Sequence, residues 1–130
     1  MLRKTLFLGA LLFSVVLTTG CGPTQTQLTA TDNGRTLKIK VDDQIVIALE
    51  GNPSTGYTWE AKDLDASMLQ QVGETQFKSS NPGSTGAGGT LTLTFKALHA
   101  GTATLTLIYH RPWETDVEPR STFAVAVVIK

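Results

Sequence analysis

Cysteine is scarce in this 130-residue chain, and its scarcity narrows what the protein can do. Cys21 is the only one, so no intramolecular disulfide can form and packing alone must hold the fold together. Histidine is nearly as scarce, and His99 and His110 are predicted to lie at opposite ends of the fold. Because Cys21 is predicted to lie on a tether, no thiol nucleophile faces the binding end of the domain, and the residues predict no catalytic Cys/His pair. We expect the protein not to be an enzyme.

Positive charge is neither abundant nor clustered. The 11 Lys and Arg residues balance 11 Asp and Glu residues, and no basic run occurs, so a nucleic acid has no electrostatic reason to bind. The glycine-rich stretch after Gly83 lacks the Lys-Ser/Thr pair that a phosphate-binding loop needs. The acids that follow His110, from Glu114 to Glu118, are more typical of a solvated loop than of a metal site. The sequence predicts no nucleic-acid partner, no cofactor and no metal.

Long apolar runs are also lacking. The single candidate extends from Leu6 to Leu17, which is shorter than the roughly 20 residues that span a bilayer. Arg3 and Lys4 precede it, and small residues follow it up to Gly20. This layout is typical of an export signal, so residues 1–20 are interpreted as a signal peptide that is cleaved.

The residue after this segment carries its own implication. Cys21, directly after Gly20, resembles the lipobox cysteine of bacterial lipoproteins, with the departure that Thr18 stands where leucine is usual. The resemblance implies lipid on Cys21 and an exported domain anchored to the bacterial cell envelope, periplasmic or surface-facing; the alternative is a secreted protein with an exposed cysteine. Without residues 1–20, the chain keeps 110 residues with 9 basic and 11 acidic side chains, enough for one domain. The Thr/Gln-rich residues 21–33 are predicted to form a flexible tether.

Most of the remaining chain alternates apolar and polar residues with a period of two, which is typical of half-buried strands. The apolar positions that share this pattern are Leu37, Ile39, Val41, Ile45, Ile47, Leu49, Leu91, Leu93, Phe95, Ala103, Leu105, Leu107, Tyr109, Phe123, Val125, Val127 and Ile129. Residues 57–61 add a strand, residues 63–68 allow one helical turn, and residues 69–78 are predicted as a strand, with an interruption at Gly73 as an alternative. About seven short strands and almost no helix predict an all-β domain at residues 34–130, an immunoglobulin-like antiparallel β-sandwich.

Three connections are longer and richer in Gly and Pro than the others, namely residues 50–56, 79–89 and 111–120. If the chain reverses at every connection, these three lie at one end of the sandwich and the short turns lie at the other. Binding residues commonly sit on loops that a rigid frame holds. The sequence therefore predicts one working end, and this prediction depends on the number of strands in residues 62–78.

The residues of these loops suit contact with a protein cleft. Pro53 fixes its own φ and Gly56 can adopt a positive φ, so a stiff turn with Ser54 and Thr55 at its tip is predicted. Trp113 is the type of exposed aromatic residue that anchors interfaces. Arg111 would either donate hydrogen bonds to a partner or hold its own loop through a nearby acid. Each feature also has a simpler interpretation. Residues 52–57 could be an ordinary solvated turn, residues 86–89 a flexible linker, and Trp113 a side chain that covers the end of the core.

Three motifs in this order carry a family resemblance: Asn52-Pro53-Ser54-Thr55-Gly56-Tyr57, Gly86-Ala87-Gly88-Gly89 and Arg111-Pro112-Trp113. Together they resemble the chagasin family of cysteine-protease inhibitors, with Ser54 standing where threonine is common. The resemblance implies that the three loops enter the active-site cleft of papain-like proteases, with Thr55 near the catalytic centre. We therefore expect a reversible inhibitor that is a monomer and a lipoprotein. The alternative is an immunoglobulin-like lipoprotein that binds a structural partner in the cell envelope.

Overall fold

The computed structural model describes residues 22–130. The predicted signal peptide and the predicted lipidation site, Cys21, lie outside these residues. Within residues 22–130, no helix is long and apolar enough to cross a membrane. The described strands, in chain order, are β1 (Gln25–Leu28), β2 (Thr36–Ile39), β3 (Gln44–Gly51), β4 (Thr58–Lys62), β5 (Leu69–Gln71), β6 (Gln76–Ser79), β7 (Gly89–Ala97), β8 (Gly101–His110) and β9 (Ser121–Ile129), and short 3-10 turns occur at Ala30–Asp32 and Pro53–Thr55.

The strands form two sheets that pack face to face. One sheet has the order β1-β3-β7-β5, with β6 also paired to β7, and the other has the order β2-β9-β8-β4. Alternate residues of the long strands fill the space between the sheets; Ile47, Phe95 and Leu105 are fully buried. Burial of each such side chain contributes about 1.5–3 kcal/mol. The predicted immunoglobulin-like β-sandwich is confirmed, but its sheets are mixed and not purely antiparallel, because β1 pairs with β3, and β2 with β9, in parallel.

The predicted tether, residues 21–33, is wrong for most of its length. Strand β1 lies along β3, and Leu28 at its end is only 1% exposed. The chain then turns through Ala30–Asp32, where Asp32 accepts a hydrogen bond from the main chain of Thr29 at 2.8 Å. The composition of residues 25–28 does not indicate a strand, because Leu28 is their one large apolar residue. Main-chain pairing with β3, which is distant in sequence, supplies the rest of the stability of β1. Within residues 22–130, the first strand therefore begins at Gln25.

The region between β4 and β7 keeps the predicted chain direction. The helical turn predicted at residues 63–68 is present as one hydrogen-bonded turn, too short to be a helix, in which Met68 N and Leu69 N both donate to Asp65 O at 3.0 Å. The Asp65 carboxylate accepts hydrogen bonds from the main chain and hydroxyl of Ser67, as a capping residue does. The predicted strand at residues 69–78 is divided into β5 and β6, with Gly73 between them at φ +69°. Both pieces pair antiparallel with β7, so they act as one interrupted strand. The alternation of loops between the two ends of the sandwich is therefore preserved.

The two ends of the sandwich carry different connections. One end carries residues 40–44, 63–68 and 97–101, and we call it the base. The other end carries residues 29–35, 52–57, 80–88 and 111–120, and we call it the loop end. At the base, Ala97 N donates to Asp43 O at 2.9 Å. His99 Nδ1 also lies there, 2.6 Å from Ser67 O, whereas His110 is the last residue of β8 at the loop end. The predicted separation of the two histidines is confirmed.

Candidate functional site

The first loop (residues 52–57) is a self-bonded turn. Asn52 Oδ1 accepts hydrogen bonds from Ser54 N at 3.1 Å and Ser54 Oγ at 2.6 Å, and Thr55 Oγ1 donates to Asn52 O at 2.6 Å. Pro53 occupies the first position of the 3-10 turn, where its missing N–H costs nothing, and Gly56 ends the turn at φ +84°. Both tip hydroxyls are thus used within the loop, which fixes its shape.

Asn52 also joins the first loop to the rest of the loop end. Its main-chain N–H donates to the hydroxyl of Tyr109 at 2.9 Å, and its side-chain Nδ2 donates to Gly86 O at 3.0 Å. The second bond ties the first loop directly to the glycine loop (residues 80–88). The two ends of the glycine loop are joined to each other, because Ser80 N and Ser80 Oγ both donate to Gly88 O. The flexible-linker interpretation of the glycines is therefore not supported.

Gly89 allows a close approach of main chains, and Gly88 lies beside Gly51. A Cβ atom at Gly88 would lie 3.4 Å from Gly51 O, and one at Gly89 would lie 2.1 Å from Lys78 O. A side chain at the second position would separate β6 from β7, because Gly89 is paired with Ser79. Gly89 thus sets the spacing between β6 and β7, whereas an added Cβ atom at Gly88 would make only an ordinary contact.

Arg111 connects the third loop (residues 111–120) to the first. Its Nε donates to Thr55 O at 3.0 Å, and its guanidinium carbon lies 4.6 Å from the centre of the Tyr57 ring. Its Nη1 donates to Glu114 at 3.1 Å, so one of the two predicted roles, holding its own loop through a nearby acid, is observed. Arg120 approaches the same Tyr57 ring at 5.4 Å. The sequence did not indicate the bond to Thr55, which requires the two loops to be adjacent.

Trp113 is the most prominent apolar side chain of the loop end. It is 67% exposed, so it does not cover the core. Its indole lies on Gly56, where an added Cβ atom would be 2.1 Å from Trp113 Cη2. The absence of a side chain at Gly56 therefore leaves room for the tryptophan beside the first loop.

The structure brings the predicted site residues together. All of them lie at the loop end: Asn52, Pro53, Ser54, Thr55, Gly56, Tyr57, Gly86, Ala87, Gly88, Gly89, Arg111, Pro112 and Trp113. Sequence reasoning did not identify Tyr109 as a support for the site. The alternation along β8 gives Tyr109 an inward position, and only its place just before the third loop hinted that its hydroxyl would meet a loop.

Besides the three loops, the loop end carries an open groove and His110. Within residues 22–130, no group of three His, Cys, Asp or Glu side chains could hold a metal ion. An open groove of about 620 Å³ lies at the loop end, and the first loop, the glycine loop, Tyr109 and Arg120 all contribute to its lining. His110 Nε2 pairs with Glu60 at 2.8 Å. These features define an immunoglobulin-like sandwich that presents three fastened loops for binding.

Comparison with known proteins identifies the family. The model of the chagasin family peptidase inhibitor I42 matches residues 38–127. The chain belongs to the chagasin family of peptidase inhibitors. It is therefore a cysteine-protease inhibitor and not an enzyme.

Its relatives are similar over most of their length. Amoebiasin-2 of Entamoeba histolytica is 37% identical over 105 residues, which cover 79% of this chain and 84% of that protein. Chagasin of Trypanosoma cruzi is 31% identical over 105 residues, which cover 76% of this chain and 93% of chagasin. The crystal structure of the cysteine protease inhibitor EhICP2 from Entamoeba histolytica matches with a TM-score of 0.71 and 32% identity, covering 85% of this chain and 100% of that one.

The support that Tyr109 gives to the first loop can be tested directly. Replacing Tyr109 by phenylalanine keeps the ring, which stacks on Trp59, and removes the hydroxyl that accepts from Asn52 N. We expect a loss of stability of about 1 kcal/mol, because the Asn52 N–H loses its partner. Inhibition of a cysteine protease should weaken several-fold as the first loop loosens. Thermal unfolding and the inhibition constant measure the two effects, and unchanged values for both would show that this bond does not position the loop.

Proposed function

We propose that this protein inhibits papain-like cysteine proteases by inserting the first loop into the active-site cleft, flanked by the glycine loop and Trp113. The observation that carries the proposal is the fastening of the three loops to one another. Asn52 bonds to Gly86, Arg111 bonds to Thr55, and Trp113 lies on Gly56. One chain supplies all three loops, so we propose that a monomer is the inhibitory unit.

The fastened loops favour tight binding, because few side chains and little main chain have to become ordered when the protease binds. Immobilising a flexible side chain at an interface costs about 0.5–1.5 kcal/mol, and a surface that is already ordered avoids much of this cost. Ser54, Thr55 and Arg111 are all held by hydrogen bonds in the free protein. We therefore infer that the loop end binds with little rearrangement.

The shape of the first loop supports inhibition without productive cleavage. A protease binds its substrate as an extended strand, whereas Pro53–Thr55 form a 3-10 turn. The carbonyl groups of Asn52, Pro53 and Thr55 each accept a hydrogen bond within the protein, which holds the turn closed. A cysteine nucleophile in the cleft would thus meet a turn that resists extension, and no covalent bond is required for occlusion.

The flanking loops offer complementary contacts. Within residues 22–130, the main chain of Ala87 takes no part in a loop or turn hydrogen bond, so it is available to pair with the main chain of a protease. Trp113 offers a large, exposed apolar surface of the kind that dominates many interfaces. The three loops together are compatible with an interface of ordinary size, about 800 Å² per partner.

We also propose that the protein is exported and anchored to the cell envelope by lipid on Cys21. The support is the sequence pattern, in which Arg3 and Lys4, an apolar run and small residues precede the cysteine. Several acyl chains would make such an anchor effectively permanent, since each buried CH₂ contributes about 0.8 kcal/mol. The inhibitory domain would then act outside the cytoplasmic membrane.

A titration tests the proposed inhibition. Papain at a fixed nanomolar concentration is mixed with increasing amounts of residues 22–130, and residual activity on a small peptide substrate is measured. We expect a stoichiometric or nanomolar loss of activity, recovery of activity on dilution, and an intact inhibitor by mass spectrometry. Trypsin, a serine protease, serves as the control and should be unaffected. Full papain activity at micromolar inhibitor, or cleavage within residues 52–57, would contradict the proposal.

A further inference from the structure

The start of the described chain is fixed at the base, opposite the inhibitory loops. Thr24 N donates to Asp43 Oδ1 at 2.9 Å, and Gln44 N donates to Thr24 O at 2.9 Å. Asp43 Oδ2 also accepts from Lys40 N at 2.9 Å. The main-chain donors of Thr24 and Lys40 lower the pKa of the Asp43 carboxyl, so the carboxylate is charged at neutral pH and its bonds persist. Thr24 is therefore held in one place at the base.

Only Gly22 and Pro23 lie between Cys21 and this fixed point. Three residue steps span at most about 11 Å, even in a fully extended chain. Strand β3 then runs from the base to the first loop over eight residues, a length of about 26 Å. A group that holds Cys21 must therefore lie close to the base and farther from the first loop.

The base is positively charged on the side where the chain enters. Lys38, Lys40 and Lys130 surround Gly22 and Pro23 at a groove of about 570 Å³, and all three are exposed. None of the three forms an ion pair within residues 22–130. The groove also carries two acids: Asp42 pairs with Lys96 at 3.6 Å, and Asp43 is a charged carboxylate that holds main-chain donors and interacts with Lys40. With Lys96 included, four lysine side chains lie beside two carboxylates, a formal excess of two positive charges. The other acids of the base lie on the β4–β5 turn, at the opposite edges of the two sheets.

We propose that the base is a membrane-contacting surface, on which Lys38, Lys40 and Lys130 face anionic lipid headgroups while the inhibitory loops point away from the bilayer. This inference rests on the lipid anchor proposed for Cys21. The short connection after Cys21 brings the base to the bilayer, and the three lysines select which side of the base faces it. The inhibitor would then intercept proteases in the aqueous compartment and not proteases embedded in the same membrane.

Depth measurements on the lipidated protein test this orientation. The full chain is produced in a bacterium that processes lipoproteins, reconstituted in vesicles of phosphatidylethanolamine and phosphatidylglycerol, and labelled with a fluorophore at one introduced cysteine. Val41→Cys places the label at the base, and Glu118→Cys places it at the loop end; both residues are exposed. Headgroup-quencher lipids should quench the Val41 label at least threefold more than the Glu118 label. Equal quenching, or stronger quenching at position 118, would overturn the proposal.

Two further variants separate the connection from the charge. Ten Gly/Ser residues inserted between Pro23 and Thr24 should abolish the difference between the two labels. Replacing Lys38, Lys40 and Lys130 by glutamine should reduce it, whereas glutamine at Lys62 and Lys78 should not. If both variants leave the difference in quenching between the two labels unchanged, neither the short connection nor the lysines orient the base toward the membrane, and the proposal is wrong.

The outcomes distinguish this inference from the inhibitory function. Mass spectrometry that finds no acyl mass on Cys21 would overturn both the anchor and the orientation, while papain inhibition by residues 22–130 would be unaffected. If residues 22–130 do not inhibit papain but the lipidated chain still shows the difference in quenching, the loop mechanism is wrong and the orientation is not affected.

Discussion

Replacing Trp113 by alanine is expected to weaken papain inhibition by about 30-fold or more, with little change in the temperature of unfolding. The indole is 67% exposed in the free protein, so its removal costs the fold little buried area. Truncation of a central aromatic residue at an interface commonly costs about 2 kcal/mol or more, which corresponds to that factor. The inhibition constant and a thermal unfolding curve of the same preparation measure the two quantities.

Val117 offers a matched control on the same loop. It is also apolar and 58% exposed, but it does not lie against Gly56. Val117→Ala should change inhibition less than threefold. If Trp113→Ala inhibits as well as the unaltered protein, the third loop does not contribute the anchor and the proposed mode of binding is wrong.

The sequence predicted the sandwich because alternation is a local signal. A period of two along β3, β7, β8 and β9 reports which face of each strand is buried, and it needs no knowledge of the pairing partner. The number of chain reversals predicted the end at which each loop lies. This number is correct because β5 and β6 together take the place of one predicted strand. Loop position was therefore predictable from strand number alone.

Contacts between segments far apart in sequence could not be predicted in the same way. Strand β1 has only Leu28 as a large apolar residue, and it is ordered by pairing with β3, so its composition suggests a linker. The bonds from Asn52 to Tyr109 and from Arg111 to Thr55 join residues 57 and 56 positions apart. Their existence depends on how the loops fold over the end of the sandwich. Motif spacing identified the residues of the site but not the bonds that hold them together.

Gly56→Ala is expected to cause the largest loss of inhibition, about 100-fold or more. A residue other than glycine at φ +84° costs roughly 1–2 kcal/mol in backbone strain. The added methyl group would also lie 2.1 Å from Trp113 Cη2, so the tryptophan must leave its place. The loss should exceed that of Trp113→Ala, because the first loop and the third loop are both displaced. The inhibition constant and thermal unfolding measure the change.

Gly73→Ala separates backbone strain from the contact with Trp113. Gly73 has a similar φ of +69°, lies between β5 and β6, and has nothing within 4 Å of the position of an added Cβ atom. It should lower stability by a similar amount, about 1 kcal/mol, and leave inhibition within threefold. A double-mutant cycle then tests whether Gly56→Ala acts through its clash with Trp113. In a Trp113→Ala background, Gly56→Ala should lose much of its effect on inhibition, because the clash has been removed. Full additivity of the two changes would show that Gly56 acts through the first loop alone and that the contact with Trp113 does not position the inhibitory surface.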